Sequence, residues 1–274
     1  MSITFHARAH GFYVMSSVTP FTFPGGETHF KGTVPEHEDE SYCVITGVDA
    51  NDFIAATMWT QVVHAAGKKV TVYIPYLPGA RADRGTPFGA EVYARLINNI
   101  TADTVVAFDP HSPVMPGLIN NLRIVDSTRL VRRAVGGVEN TTYTGIIAPD
   151  KGAHDRAAAV GHALHLPVYT AGKTRDFDTG AITGFECEPL PEGGKFLIID
   201  DICDGGGTFR GLAAHLGLPR EKLGLYVSHG IFSGRAADLN ESFGEIITTD
   251  THPGAHNPDV AAHVIPVFPY LIGA

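Results

Sequence analysis

Seven short runs between Tyr42 and Pro266 are apolar along most of their length: YCVITG, KKVTVYIP, TVVAFD, TGIIAP, KFLIID, LGLYVSHG and EIITTD. A strand with one solvated face alternates apolar with polar residues, whereas continuous apolar runs suit parallel strands covered on both faces. Helix-like segments separate the runs. Ile54, Met58 and Val62 recur at helical spacing between the first two, and Phe88, Val92, Leu96 and Ile100 do so between the next two. This β-α-β rhythm predicts an α/β fold built from doubly wound, mainly parallel sheets. The rhythm pauses at RRAVGGVENTTYTG, where charge, glycine and small polar residues gather, so two tandem domains are expected, 1–142 and 143–274. The segment 176–194 has no helical period and carries glycine and proline on both sides, which predicts a loop or hairpin beside the site.

Charge and composition exclude several function classes. Twenty basic residues against twenty-nine acidic ones give a net charge of −9, which argues against nucleic acid or an anionic membrane as a partner. No apolar run approaches the ~20 residues that span a bilayer, and the start MSITFHARAH has no signal-peptide core. The expectation is a soluble, cytoplasmic protein. Cys43, Cys187 and Cys203 form no C-x-x-C pair, so they read as reduced, isolated thiols.

Chemistry concentrates in LIIDDICDGGGTFRGL, Leu197 to Leu212. Ligands of open α/β sheets bind beyond the carboxyl ends of the strands, so whatever follows KFLIID belongs to a candidate site. Gly205, Gly206, Gly207 and Thr208 lead into a helix-like stretch whose first backbone N–H groups suit a phosphate. Asp200 and Asp201 repel phosphate and need another partner. Sugar hydroxyls, helped by Mg²⁺, satisfy the acids while the glycines face the phosphate, so the pattern as a whole suits a sugar phosphate.

IIDDICDGGGT is similar to the acid-acid loop of type I phosphoribosyltransferase folds, and the rest of the chain selects among them. YIPYLPGARADRG, FDPHS, IIAPDKGAHDRA, YTAGKTR, FTFPGGE, VSHGIFSGRA and TTDT resemble, in family order, segments of the ribose-phosphate pyrophosphokinases (PRPP synthetases). The resemblance implies two tandem phosphoribosyltransferase-like domains. It also implies transfer of the β,γ-diphosphate of ATP to the anomeric hydroxyl of ribose 5-phosphate, with Mg²⁺ as cofactor. Lys173 and Arg175 are then loop cations that close over the transferring group. Arg81, Asp83 and Arg84 hold the ATP phosphates, His111 the metal or the phosphate chain, and Asp150 the Mg²⁺. Phe23 and Glu27 match an adenine-binding hairpin that reaches a neighbouring subunit, which implies a homo-oligomer, dimer or hexamer. Asp200, Asp201 and Asp204 to Thr208 hold the sugar phosphate.

The chain departs from the family pattern at places that touch ligands. Ala82 stands where glutamine is expected, Gly25 where an acid or amide is, and Gly205 where a hydroxyl residue is, while Lys151 enlarges the S-P-D-like turn. A smaller residue at 205 leaves room for a larger acceptor, ADP-ribose, as in a branch that serves NAD salvage. Gly172-Lys173-Thr174 mimics the end of a P-loop, but the required first glycine is Pro167 and no helix is expected to follow. Two further readings stay open: a phosphoribosyltransferase that consumes the diphosphate, and a non-catalytic regulator on the same fold. The first leaves GARADR, FDPHS and AGKTR without purpose, and the second conflicts with the presence of Lys173 and Arg175.

Overall fold

The computed structural model describes residues 3–9, 12–15, 18–32, 40–175 and 182–272. The chain divides into two compact units, Met1–Val125 with Leu271–Ala274, and Asp126–Tyr270. The sequence had placed the division at 142/143. The helix Thr128–Ala134 goes with the second unit because it buries Leu130 and Val131 and packs on the helix His154–Leu164. No described helix is long and apolar enough to cross a membrane.

In the first unit, strands β1 (Ile3–Ala9), β2 (Phe12–Met15), β5 (Glu40–Ile45), β6 (Val70–Tyr73), β7 (Thr104–Phe108) and β8 (Leu122–Val125) form one sheet in the order β2-β1-β5-β6-β7-β8. β5 to β8 are parallel, and β1 joins them antiparallel. A separate two-stranded ribbon, β3 (Thr19–Thr22) and β4 (Thr28–Lys31), precedes β5. Helices α1 (Ala50–Ala65) and α2 (Gly89–Asn99) supply the crossovers. Asp49 begins α1 by accepting from the Asn51 N–H at 2.9 Å, a side-chain cap for one of the groups a helix start leaves unpaired.

α1 presents a different face to the core from the one its spacing suggested, and the suggested row of α2 is buried in part. α1 buries Phe53, Ala56, Trp59 and Val63, while Ile54 and Val62 are exposed. α2 buries Ala90, Ala94 and Ile97 and leaves Val92 exposed, but of the suggested row Ile100 is fully buried and Phe88 packs against the core. A period of 3.6 fixes the type of element, but α1 carries two neighbouring apolar rows and the period does not choose between them. The inward rows carry the alanines, which let the helix approach the sheet, with Trp59 filling the remaining space.

The second unit, after α3 (Thr128–Ala134) and α4 (Gly137–Asn140), holds a seven-stranded sheet. Its strands are β9 (Gly145–Ala148), β10 (Val168–Arg175), β11 (Ile182–Cys187), β12 (Phe196–Cys203), β13 (Leu223–Gly230), β14 (Glu245–Thr249) and β15 (Ala262–Ile265), ordered β11-β10-β9-β12-β13-β14-β15. All neighbours are parallel except β10 and β11, which form an antiparallel hairpin. β13 is buried at all eight positions and β9 at all four, as expected for strands covered on both faces. α5 (His154–Leu164), α6 (Gly207–Leu216), α7 (Leu239–Ser242) and α8 (Phe268–Leu271) complete the chain. The fold class read from the sequence is the one observed, and all seven apolar runs are strands. The hairpin expectation for 176–194 holds for β11, while 176–181 lie outside the described residues. Cys43 and Cys203 are buried and all three cysteines are free.

Candidate active site

In the second unit three adjacent strands, β10, β9 and β12, deliver charged side chains to their carboxyl ends. Asp150 follows β9. Its Oδ1 accepts from the N–H groups of Gly152 at 3.0 Å and Ala153 at 3.2 Å, capping a short 3₁₀ turn. Its Oδ2 accepts from Lys173 Nζ at 2.8 Å. Burial opposes ionisation of this carboxyl, but the Lys173 hydrogen bond and charge, with the two backbone donors, hold it below the usual carboxylate range. The resemblance makes Lys173 and Arg175 loop cations. Here both lie in the last turn of pairing of β10, where Lys173 stands opposite Phe185 and Arg175 opposite Ile182 after a register shift.

Asp200 and Asp201 lie in the second half of β12, which runs past the KFLIID run and stays paired with β13 through Cys203. The Asp201 N–H donates to Asp200 Oδ1 at 2.9 Å. Burial, followed by the neighbouring Asp201 charge, raises the pKa of Asp200 well above the usual carboxylate value, and the charge of Asp150 acts in the same direction. Sequence reasoning missed Arg156 of α5, which stands 3.9 Å from Asp200 and 4.0 Å from Asp201. Its signal in the sequence is the arginine of IIAPDKGAHDRA.

The loop from Asp204 leads into α6. Ser233 Oγ donates to Asp204 Oδ1, a contact the sequence did not reveal although Ser233 lies in VSHGIFSGRA. Gly206 has φ +74° and a Cβ there would stand 2.9 Å from Leu239 Cγ, so both conformation and space require glycine. Gly205 is different: a Cβ would meet only the Ser233 carbonyl, at 3.8 Å, and one on Gly207 would meet nothing within 4 Å. No side chain caps the start of α6, whose first turn carries half-buried Thr208, so its first N–H groups are donors of the kind a phosphate takes.

In the first unit Asp83 accepts from Ser112 Oγ at 2.7 Å and lies 3.5 Å from Arg84 Nε. This bond joins the turn bearing Arg81, Asp83 and Arg84 to the turn after β7 that bears His111. Arg81, Arg84 and His111 are exposed. Buried Asp109, at φ +39°, gives its N–H to the Val125 carbonyl and ends β7 in a sharp turn. Phe23 and Glu27 frame the β3–β4 turn, closed by the Phe23 N–H to the Glu27 carbonyl at 2.8 Å. Exposed Phe23 packs edge-on against Phe21 with centroids 4.8 Å apart, and a Cβ on Gly25 would lie 2.5 Å from Glu27 Oε2. The Glu27 carboxylate therefore folds over Gly25.

No group of three or more metal-ligating side chains is gathered among the described residues. Mg²⁺ commonly takes one or two carboxylates and fills its remaining positions with water and substrate phosphate. Asp150 fits such a set through Oδ2, in exchange for Lys173, because Oδ1 is held by the backbone.

No family model matches the chain. A ribose-phosphate pyrophosphokinase of Saccharolobus solfataricus is 28% identical over 195 residues, 68% of this chain and 66% of that protein. The chain thus spans just under two thirds of that relative's length. A ribose-phosphate pyrophosphokinase of Hyphomonas neptunium is 27% identical over 250 residues, 85% of this chain and 79% of that one. Among solved structures, a phosphoribosylpyrophosphate synthetase from Mycobacterium smegmatis matches with a TM-score of 0.73 at 21% identity, covering 95% of this chain and 89% of the other. That likeness shows the fold.

Proposed function

We propose, from the premise that this chain is a divergent homologue of the ribose-phosphate pyrophosphokinases, that it moves the β,γ-diphosphate of ATP to the anomeric hydroxyl of ribose 5-phosphate, giving PRPP and AMP. The observation that carries this reading is the juxtaposition in the second unit: a paired acid in the second half of β12, a glycine loop at the start of α6, and Lys173 on Asp150 one strand away. Hydroxyl donors suit the acids and the 5-phosphate suits the helix start.

In the transfer the anomeric oxygen bonds to the β-phosphorus, the bridge from that phosphorus to the α-phosphate breaks, and the hydroxyl proton leaves. Charge gathers on the phosphate oxygens, so placed cations do most of the work. Lys173 supplies one, and Arg81, Arg84 and His111 suit the triphosphate. Asp150 would hold Mg²⁺, which when bound would neutralise further phosphate charge.

A second reading, ADP-ribose as acceptor, is favoured by one observation: the space over Gly205, where a Cβ meets only one carbonyl at 3.8 Å. Mass spectrometry of reactions with ATP and Mg²⁺, offered ribose 5-phosphate and ADP-ribose separately, tests both. AMP with a diphosphorylated ribose 5-phosphate supports the first, product from ADP-ribose alone supports the second, and AMP from neither overturns the reaction. Gly205→Thr fills the open space. If the second reading is right it impairs ADP-ribose use while sparing ribose 5-phosphate, and equal effects on both count against it.

A further inference from the structure

Arg156 carries no role in the reaction described above, yet it is placed against both acids of the sugar site. It lies in the first turn of α5 with its side chain only 12% exposed, and its Nη1 is 3.9 Å from Asp200 Oδ1 and 4.0 Å from Asp201 Oδ1. Both separations exceed hydrogen-bond length. The guanidinium therefore offsets the two charges without using those oxygens as its acceptors. A bidentate arginine, by contrast, uses both oxygens of a carboxylate and leaves little for a ligand.

The acids need such a neighbour. Their side chains are 15% and 5% exposed, and two adjacent buried carboxylates repel each other strongly. Left alone, one of them takes up a proton or turns towards water, and the pair becomes a single acceptor. A ribose offers two vicinal hydroxyls as donors, so it loses more from that change than a sugar with one.

We propose that Arg156 is the positioning residue of the sugar site, holding Asp200 and Asp201 side by side as a double acceptor and thereby setting selectivity for ribose over 2-deoxyribose phosphates. This rests on the sugar-phosphate reading of the β12 loop and adds the feature that selects the diol.

Titration calorimetry of the full chain with ribose 5-phosphate and 2-deoxyribose 5-phosphate tests it, using wild type, Arg156→Met and Arg156→Lys, with thermal melts to check folding. Arg156→Met weakens ribose 5-phosphate about tenfold, the scale of one hydrogen bond to a charged group. It weakens the 2-deoxy sugar less than about threefold, and Arg156→Lys restores most of the difference. In turnover, the ATP KM moves less than about twofold while the acceptor KM rises. Equal weakening of both sugars, unchanged binding of ribose 5-phosphate, or a wild type that does not distinguish the two overturns the assignment. If Arg156→Met does not fold, Arg156→Gln against wild type carries the same comparison: lost selectivity without lost stability supports the assignment, and a parallel loss of both sugars overturns it. A wild type that selects ribose 5-phosphate but releases no AMP from ATP sinks the reaction and leaves the Arg156 assignment standing.

Discussion

Arg84 and Lys173 are both cations expected to meet phosphate, yet their surroundings are opposite. The Arg84 side chain is 89% exposed and rests loosely beside Asp83, whereas that of Lys173 is 13% exposed and donates to Asp150 at 2.8 Å. The same contrast divides their regions. Arg81, His111 and Phe23 are exposed, while Asp200 and Asp201 of β12 are packed beside Arg156 of α5 in the second unit. Charges fixed in a low-dielectric setting act at full strength without reorganising, and exposed ones are screened. On the proposed reading, the second unit suits the charge that would develop during transfer, and the first unit the capture of a charged ligand.

Removing Lys173 should have the largest effect. Lys173→Ala lowers kcat for AMP release by about 10²- to 10³-fold, the scale of losing one placed donor to developing charge. A loss below tenfold, with folding intact, breaks the contrast. Next is Asp200→Asn, which weakens sugar-phosphate binding about tenfold yet raises Tm at pH 7 by about 2–4 °C. It removes a buried charge pressed by Asp201, so a lower Tm would show that the charge is better tolerated than its surroundings indicate. Arg84→Ala comes third, raising the ATP KM about fivefold through lost phosphate attraction, with the gap shrinking as salt increases. A salt-independent effect would place Arg84 in a dry contact. Phe23→Ala is smallest, raising the ATP KM about twofold.

The two acids also predict opposite pH behaviour. Asp150 has a folded pKa below its unfolded value, so the stability it contributes is present above about pH 4 and lost as pH falls through the lower folded value. Asp200 has a folded pKa above its unfolded value, so protonation relieves the fold as pH falls from that raised value towards about 4. Urea unfolding of Asp150→Asn and Asp200→Asn between pH 3 and 7 separates the two slopes.

Much of this was legible in the sequence, for physical reasons that also mark the limit. LGLYVSHG and KFLIID announce central strands because burial on both faces leaves no polar alternation. TAGKTR, ITGFEC and AHVI do not, and they became β10, β11 and β15 through the strands they pair with: β9 and β11 for β10, β10 for β11 and β14 for β15. The α1 face was misread because Ile54 and Phe53 are equally apolar and only the packed sheet distinguishes them. Asp200 and Asp201 were visible as an acid pair at a strand end. Arg156 gained meaning only from the strand order, which brings the helix after β9 alongside β12.

β12 is the fourth of seven strands in its sheet, with β9 paired on one side and β13 on the other. Its amides should therefore be among the last to exchange with deuterium, opening only with the whole unit, while the β10–β11 hairpin at the rim exchanges earlier. Breathing at that edge can then occur in a folded protein whose Asp200 and Asp201 stay in register. On gradual warming, sugar-phosphate binding should persist up to the cooperative melt and vanish with it, so heat inactivation of that site would report the life of the whole sheet.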